Sequence, residues 1–302
     1  AAASELFPQA CVACSPFSVL RFLNITVGQF RWGTPAGLWQ FQLFRTLFAV
    51  PMLMIGAHLL SQPLRVVSLP KLSLRSAAVS IGLLIYFAAL DTLPVAQAGA
   101  GLFSAPIWVL LLSVLLFGTR LSGLQLLAIL TGFGGALMLL QPDFAALTPA
   151  ALMPLASGLF YGLGMLLTRH ICATESAPAL AMGIFLFIGA AGIVMLAVVS
   201  LMPGSDTTGP FLTRAWVTPS TRFLWLTLFQ AAGAVMAVSL IAQAYRIGTP
   251  TFVSVFEYSF LIFACLWGFL LWGVAATNLA WAGIAVIIAS GLAMSLLQKR
   301  DA

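Results

Sequence analysis

The chain has 302 residues, of which 62% are hydrophobic and only 7% are charged, with a formal net charge of +6. Soluble proteins usually have about a quarter of their residues charged, so this composition excludes a soluble globular protein. The 13 basic residues are scattered singly, without a basic run or an aromatic-interleaved patch, which argues against nucleic acid as a partner. The sequence predicts an all-α integral membrane protein whose immediate partner is the lipid bilayer.

Apolar segments of spanning length recur along the chain, each bounded by Pro, Gly or charge. The first, Val12 to Phe30, contains Arg21 and Asn24, which lower its tendency to insert, so a surface-lying helix is an alternative there. The later spans are predicted at Leu38 to Leu60, Ser76 to Leu90, Pro94 to Phe117, Ser122 to Leu140, Ala150 to Leu167, Pro178 to Leu201, Phe223 to Tyr245, Thr249 to Leu271 and Asn278 to Leu297.

Two similar helical hairpins indicate that the chain contains its own half twice. Asp91 to Gln141 holds two apolar runs separated by a short turn, and Thr249 to Gln298 repeats that pattern. Small residues stand four apart at matching positions of both halves, and in lipid such a ridge lets a neighbouring helix approach closely. These residues are Ala128, Gly132 and Ala136 in the first half and Ala285, Ala289 and Ala293 in the second.

The repeat divides the chain into two predicted units, residues 1–142 and 143–302. Together they give about ten transmembrane helices as two inverted five-helix repeats. Because the first unit has an odd number of spans, the second unit enters the membrane from the opposite side. Many secondary transporters share this plan, with the substrate site near the bilayer midplane. The plan argues for function only by analogy.

The basic residues predict the orientation of the spans. With the C-terminus in the cytoplasm, the basic residues divide eight to three in favour of the inner side, which is the positive-inside bias. The inner residues are Arg65, Lys71, Arg75, Arg120, Arg169, Arg246, Lys299 and Arg300, and the outer ones are Arg31, Arg214 and Arg222.

Short motifs resemble the EamA-type members of the drug/metabolite transporter superfamily. They are Tyr86-Phe87-Ala88-Ala89-Leu90, Leu93-Pro94-Val95-Ala96-Gln97-Ala98, Pro106, Leu116-Phe117-Gly118 and Gly134, and the similarity covers roughly Leu38 to Gln298. The resemblance implies a ten-helix carrier for small organic solutes in a bacterial plasma membrane, working by alternating access. The chain departs from the family where many members have a glutamate after the fourth and ninth helices, since Thr119 and Val274 stand there.

Glu257 is the only acidic residue placed well inside a predicted span. It lies about 12 Å along its helix, near the middle of a hydrocarbon core about 30 Å thick. A carboxylate at that depth must face a cavity, find a partner or bind a proton, whereas a Glu that only joins two helices is the structural alternative. The resemblance also points to this position, because many family members carry a glutamate in their ninth helix.

Arg45 lies at a similar predicted depth, where many family members carry an arginine in their second helix. Its guanidinium suits a substrate carboxylate or phosphate, and it could meet Glu257 across a cavity. Snorkelling outward or permanent pairing with Glu257 is the alternative.

Other polar and aromatic side chains in the spans complete the candidate site, since they could orient a ligand or stack on a ring. Each of them is also compatible with a helix-to-helix hydrogen bond. They are Gln42, Tyr86, Gln97, Tyr161, Gln230, Gln243 and Tyr258. Cys11 and Cys14 have the spacing of metal ligands, but no second pair or suitable histidine follows, so we expect no metal and no cofactor.

These features favour a secondary transporter over an enzyme or a channel. An intramembrane enzyme needs clustered His, Asp or Ser/Lys groups, and a channel needs polar rings. Without a phosphate-binding loop for ATP, the energy must come from gradients, and protons are a candidate coupling ion. Arg45 and Glu257 match the two charges of an amino acid or related zwitterion, with export favoured over uptake. Uptake of a vitamin or nucleotide-like compound is the alternative, and monomer and homodimer both remain open.

Overall fold

A computed structural model describes residues 36–93, 95–119, 122–142, 152–202, 207, 209–259, 261–262, 265–266 and 277–301, except for the side chains of 95–97, 295 and 298–301. The described part is helical and contains no strand. Its helices are α1 Leu38–Leu59, α2 Leu69–Thr92, α3 Val95–Leu102, α4 Ala105–Phe117, α5 Gly123–Leu140, α6 Leu152–His170, α7 Ala177–Leu201, α8 Thr221–Ile247, α9 Pro250–Phe256 and α10 Asn278–Asp301.

Six helical stretches in the described residues are long and apolar enough to cross a membrane. They are α1, α2, Ala98–Phe117, α5, α7 and α8, and α10 adds a shorter apolar stretch, Asn278–Met294. The all-α membrane fold is confirmed. The ten-span count and the two inverted repeats stay predictions, and the predicted first span, Val12 to Phe30, lies outside the described residues with Cys11 and Cys14.

Apolar side chains cover the outer surface of the helices, and several polar side chains are buried with the apolar core. Leu115 and Leu201 are 76% and 85% exposed, whereas Arg45 and Arg75 are fully buried. Helix α1 packs on α7 and α8, α2 on α6 and α7, and α5 on α10, while α6 also contacts α3 and α4. Lipid solvates such an apolar surface, so the interior is where polar groups can find partners or a ligand.

Helix α2 begins seven residues before the predicted start at Ser76. Its first backbone amides are covered by another part of the chain, because the Glu175 carboxylate accepts hydrogen bonds from Val67 N at 2.8 Å and Ser68 N at 2.7 Å. An anion at a helix N-terminus stabilises it. As a result Arg75, predicted in an inner loop, lies within the helix and is fully buried.

The predicted span from Pro94 to Phe117 is interrupted at Phe103 and Ser104. Ser104 N bonds to Gly101 O at 3.1 Å, an i to i−3 contact that tightens the chain into a turn. Pro106 follows in the first turn of α4, where a missing N–H costs nothing. Two shorter helices therefore stand in place of one.

The predicted span from Thr249 to Leu271 is also not one continuous helix. Helix α9 ends at Phe256, and Glu257 and Tyr258 lie in a turn whose amides bond to Ser254 O at 3.3 Å and Val255 O at 3.2 Å. The acidic residue thus occupies a helix break.

The small-residue ridge predicted on α5 lies in a helix contact. Ala128, Gly132 and Ala136 are buried. The Ser290 hydroxyl on α10 donates to Ala128 O at 2.7 Å, which fixes α10 against this ridge.

The matching ridge predicted on α10 is wrong. Ala285, Ala289 and Ala293 are exposed, and the contact is made by another face of the helix. A Cβ on Gly283 would lie 2.6 Å from Gly135 O, so the two backbones touch at this pair of glycines. A spacing of four is shared by several helix faces, and the sequence alone does not say which of them meets a neighbour.

Candidate functional site

The Glu257 carboxylate is held by tyrosine hydroxyls from two other helices. Tyr161 on α6 donates to Oε1 of Glu257 at 3.3 Å. Tyr245 on α8 brings its hydroxyl within hydrogen-bonding reach of the same carboxylate. Hydrogen bonds of this kind stabilise an ionised carboxylate, and each contributes about 1.5–3 kcal/mol when the acceptor is charged.

Three of the four tyrosines in the chain gather at Glu257: Tyr161, Tyr245 and Tyr258. Tyr161 and Tyr258 are among the residues predicted from the sequence, whereas Tyr245 is not. It stands at the end of a predicted span, a position where tyrosine commonly reaches for the membrane interface. Helix α8 continues to Ile247, so Tyr245 stays inside and is 1% exposed. The signal that could have identified it was the rarity of tyrosine among the spans.

Tyr258 follows Glu257 in the helix break and is fully buried. Its ring packs against Gly132 on α5, near Ser290 on α10. A Cβ atom built on Gly132 would lie 3.0 Å from the ring and 2.7 Å from Ser290 Oγ. Its hydroxyl has no hydrogen-bond partner among the described residues. A buried hydroxyl of this kind is available to a ligand.

Arg45 lies on α1 between two aromatic rings. Its guanidinium carbon is 5.5 Å from the ring centre of Phe87 on α2 and 5.4 Å from that of Phe185 on α7. Both contacts are cation–π interactions. Because the described partners of Arg45 and Glu257 are different residues, the direct meeting of these two charges stays a prediction.

Two buried amides lie close in depth to Arg45. Gln42, three residues before Arg45, and Gln230 on α8 are both fully buried, and neither amide has a hydrogen-bond partner among the described residues. Phe41 clusters with Phe223 and Ala49 with Ala231, so Gln230 lies near the level of Arg45. Helices α1 and α8 thus each carry a buried amide near the depth of Arg45.

Two of the remaining predicted residues lie apart from this arrangement. Tyr86 is buried in an apolar cluster with Leu38, Phe87 and Leu93. Gln243 lines a cavity at the end of the molecule where α8 ends. The side chain of Gln97 lies outside the described part of the structure.

Arg75 is a second buried cation, which the sequence analysis assigned to a loop. Its Nε donates to Thr168 Oγ1 at 2.8 Å and its Nη1 to Leu180 O at 2.9 Å, so it ties α2 to α6 and α7. It also lies within electrostatic reach of Tyr161, whose hydroxyl contacts Glu257. Arg75 is therefore the buried cation linked to the Glu257 cluster through described residues.

Comparison with known families identifies the first half of the chain. The model of the EamA-like transporter family matches residues 34–141. These residues belong to the EamA-like transporter family. The resemblance to the drug/metabolite transporter superfamily is confirmed for this part of the chain, and the chain is an integral membrane protein.

Curated relatives of this EamA-like protein are bacterial transporters. A riboflavin transporter of Rhizobium johnstonii is 27% identical over 262 residues, which cover 85% of this chain and 79% of the relative. The pseudopaline exporter CntI of Pseudomonas aeruginosa is 26% identical over 236 residues, 76% of each chain. A riboflavin transporter of Vibrio cholerae is 27% identical over 202 residues, 62% of each chain.

A crystal structure of another protein shares the fold of this EamA-like protein with a TM-score of 0.73. The likeness covers 96% of this chain and 98% of the other at 15% sequence identity, so it supports the fold alone.

Proposed function

We propose that this EamA-like protein is a secondary carrier that moves a small organic metabolite by alternating access, with Glu257 as its coupling group. The observation that carries the proposal is the half-buried Glu257 carboxylate, which lies in a helix break and faces two tyrosine hydroxyls from α6 and α8. A carboxylate among apolar helices is expected to bind a proton or a substrate.

The helix break supports coupling between binding and movement. Backbone in a break lacks part of its helical hydrogen bonding, and carriers use such discontinuous helices at their binding sites. Tyr161 and Tyr245 stabilise the ionised carboxylate, whereas protonation weakens those bonds. Exchange of a proton at Glu257 would then alter how the turn at Glu257 and Tyr258 packs against α6 and α8.

For the substrate we favour an amino acid or related zwitterion, moved outward. The support is the pair of polar regions. One has Arg45 between α2 and α7 with the amides of Gln42 and Gln230 near the same depth, and the other has Glu257 with its tyrosines. A guanidinium recognises a carboxylate, and a glutamate accepts from an ammonium group. Export agrees with one relative that is named an exporter.

Uptake of a vitamin or nucleotide-like compound is the second candidate. It is supported by the relatives named riboflavin transporter and by the aromatic side chains that cluster around Phe44 on α1. Phe44 lies 5.8 Å from Trp216 and 5.6 Å from Phe223, measured between ring centres. A flat polar ring could stack on such side chains while the buried amides bind its edge.

Transport in proteoliposomes tests both candidates. Labelled amino acids and riboflavin would be offered to the wild-type protein and Glu257→Gln, with a pH gradient in either direction and under equal-concentration exchange. Asp91→Asn is a matched control, because Asn keeps an oxygen that can accept the Phe211 N–H bond now made by Asp91 at 3.1 Å.

Coupling predicts that Glu257→Gln keeps exchange but loses accumulation driven by the pH gradient, while Asp91→Asn keeps both. Unaltered gradient-driven transport in Glu257→Gln would overturn the role of Glu257. Failure of a folded wild-type protein to move either compound would overturn the proposed substrates.

A further inference from the structure

A cavity of about 280 Å³ lies at the end of the molecule where α1 ends, α7 begins and α8 ends. Its lining includes Arg65, Ser176, Ala177, Gln243 and Arg246. The distribution of basic residues predicts that this end faces the cytoplasm. The residues described around Glu257 do not line the cavity, so it is a separate feature of the molecule.

The cavity carries positive charge. Two of its lining residues, Arg65 and Arg246, are arginines. A third arginine supports them, because Arg169 Nη1 donates to Arg246 O at 2.8 Å. Arg246 Nη1 itself donates to Glu175 O at 3.1 Å, which fixes its side chain over the loop before α7.

The acidic residue in this loop is turned away from the cavity. The Glu175 carboxylate accepts from Val67 N and Ser68 N, so both of its oxygens serve the start of α2. Its contact with Arg246 is made by its backbone carbonyl. The charge of Arg65 and Arg246 therefore remains available to a bound anion.

Neutral groups in the wall suit the same ligand. Gln243 is half-buried and offers an amide. Ser176 is the N-cap of α7, and its hydroxyl accepts a hydrogen bond from Ala179 N at 3.3 Å. Ala177 is the first residue of α7 and also lines the cavity. The positive end of the helix dipole adds to the potential set by the two guanidinium groups.

We propose that this cavity binds a phosphate group. Guanidinium groups match phosphate oxygens in a bidentate manner, and a basic pocket between helices on the cytoplasmic side is suited to a phospholipid headgroup. The same chemistry would hold a free phosphate compound. The site is independent of the transport proposal and would bind its ligand even if Glu257 couples nothing.

Native mass spectrometry of the full chain in detergent tests the site and distinguishes the two sources. Phosphatidylglycerol and inorganic phosphate would be titrated separately, with phosphatidylcholine as a zwitterionic lipid control. The variants are Arg65→Gln, Arg65→Gln with Arg246→Gln, and Lys71→Gln. Lys71 is an exposed cation on the same side, and it does not line the cavity.

The double variant should bind about 30-fold more weakly and Arg65→Gln about fivefold more weakly, since each basic group near a membrane surface contributes similarly to the attraction. Lys71→Gln should bind like the wild type. Arg65→Gln keeps the test valid if the double variant does not fold, because Arg65 contacts Ser176 through its backbone.

Tighter binding of phosphatidylglycerol than of inorganic phosphate supports a lipid headgroup, and the reverse supports a free phosphate compound. Equal binding by the wild type and Arg65→Gln would overturn the proposal, as would an equal loss in Lys71→Gln. The proposal would also be overturned if the wild type bound neither phosphatidylglycerol nor inorganic phosphate more tightly than phosphatidylcholine.

Discussion

The Tyr161 hydroxyl donates to Oε1 of Glu257 at 3.3 Å and joins residues 96 positions apart in the sequence. The bond connects the middle of α6 to the break that follows α9. Helix α6 is in turn fixed on α2, because Ser157 Oγ donates to Gly82 O at 2.8 Å. A change at the carboxylate can therefore reach α2 through a short series of contacts.

Removal of either tyrosine hydroxyl at Glu257 should weaken gradient-driven transport. A hydrogen bond to a charged group contributes about 1.5–3 kcal/mol, so we expect Tyr161→Phe and Tyr245→Phe each to lower the driven rate at least about tenfold. The measurement is initial accumulation in proteoliposomes under a pH gradient. Tyr86→Phe is the control, since Tyr86 packs in the apolar cluster around Leu38; an equal loss in this variant would contradict a special role for the other two.

The close approach of α2 and α6 should not tolerate a methyl group at Gly82. A Cβ there would lie 2.7 Å from Tyr161 N and 2.9 Å from Ser157 O, and both are backbone atoms that cannot turn aside. We expect Gly82→Ala to lower the free energy of unfolding by about 1–3 kcal/mol, measured as a lower melting temperature in detergent. Gly134→Ala is the matched control, because no atom lies within 4 Å of its Cβ position. Unchanged stability of Gly82→Ala would show that the helices can separate at little cost.

Replacement of Arg75 should lower stability. Its guanidinium joins Thr168 on α6 to Leu180 on α7, and leaving a buried acceptor without its hydrogen bond costs about 1–3 kcal/mol. We expect Arg75→Gln to melt well below the wild type. Lys71→Gln, one helical turn earlier on the exposed side, should melt like the wild type. Equal melting temperatures for the two variants would contradict a stabilising role for the Arg75 hydrogen bonds.

The contact face of α10 can be tested with two substitutions. Gly283→Ala places a methyl 2.6 Å from Gly135 O and should lower stability by about 1–3 kcal/mol. Ala289→Leu adds a larger group on an exposed face, where lipid accommodates it, and should leave the melting temperature unchanged. The opposite result would mean that the alanine ridge forms the contact. Melting in detergent measures both variants.

Cys172 should resist alkylation in the folded protein. It is fully buried in the loop between α6 and α7, and burial raises the pKa of its thiol to about 11. Because the thiolate is the reactive form, maleimide labelling at pH 8 should be slow and should become complete after unfolding in detergent. Other cysteines would be replaced by serine so that Cys172 alone is followed. Rapid labelling of the folded protein would contradict the burial of this loop.

The sequence by itself determined the class of protein and the position of its intramembrane acid. Composition and apolar run length are summed over many residues, so the prediction of an all-α membrane protein survives local errors, and the helices α1, α5, α7 and α8 begin and end within a few residues of the predicted bounds. Glu257 was identifiable because a lone carboxylate in an apolar span is costly.

Only the tertiary structure decided which groups meet that acid. Tyr161 and Tyr245 reach Glu257 because α6 and α8 pack beside the break after α9, and no local pattern encodes such a meeting. The sequence predicted Arg75 in a loop, because the start of its helix is stabilised by a residue that is distant in the sequence. That residue is Glu175, which accepts hydrogen bonds from the amides before α2. The face that α10 buries was likewise set by backbone contact at Gly135 and Gly283, since helical spacing repeats on several faces and packing selects one of them.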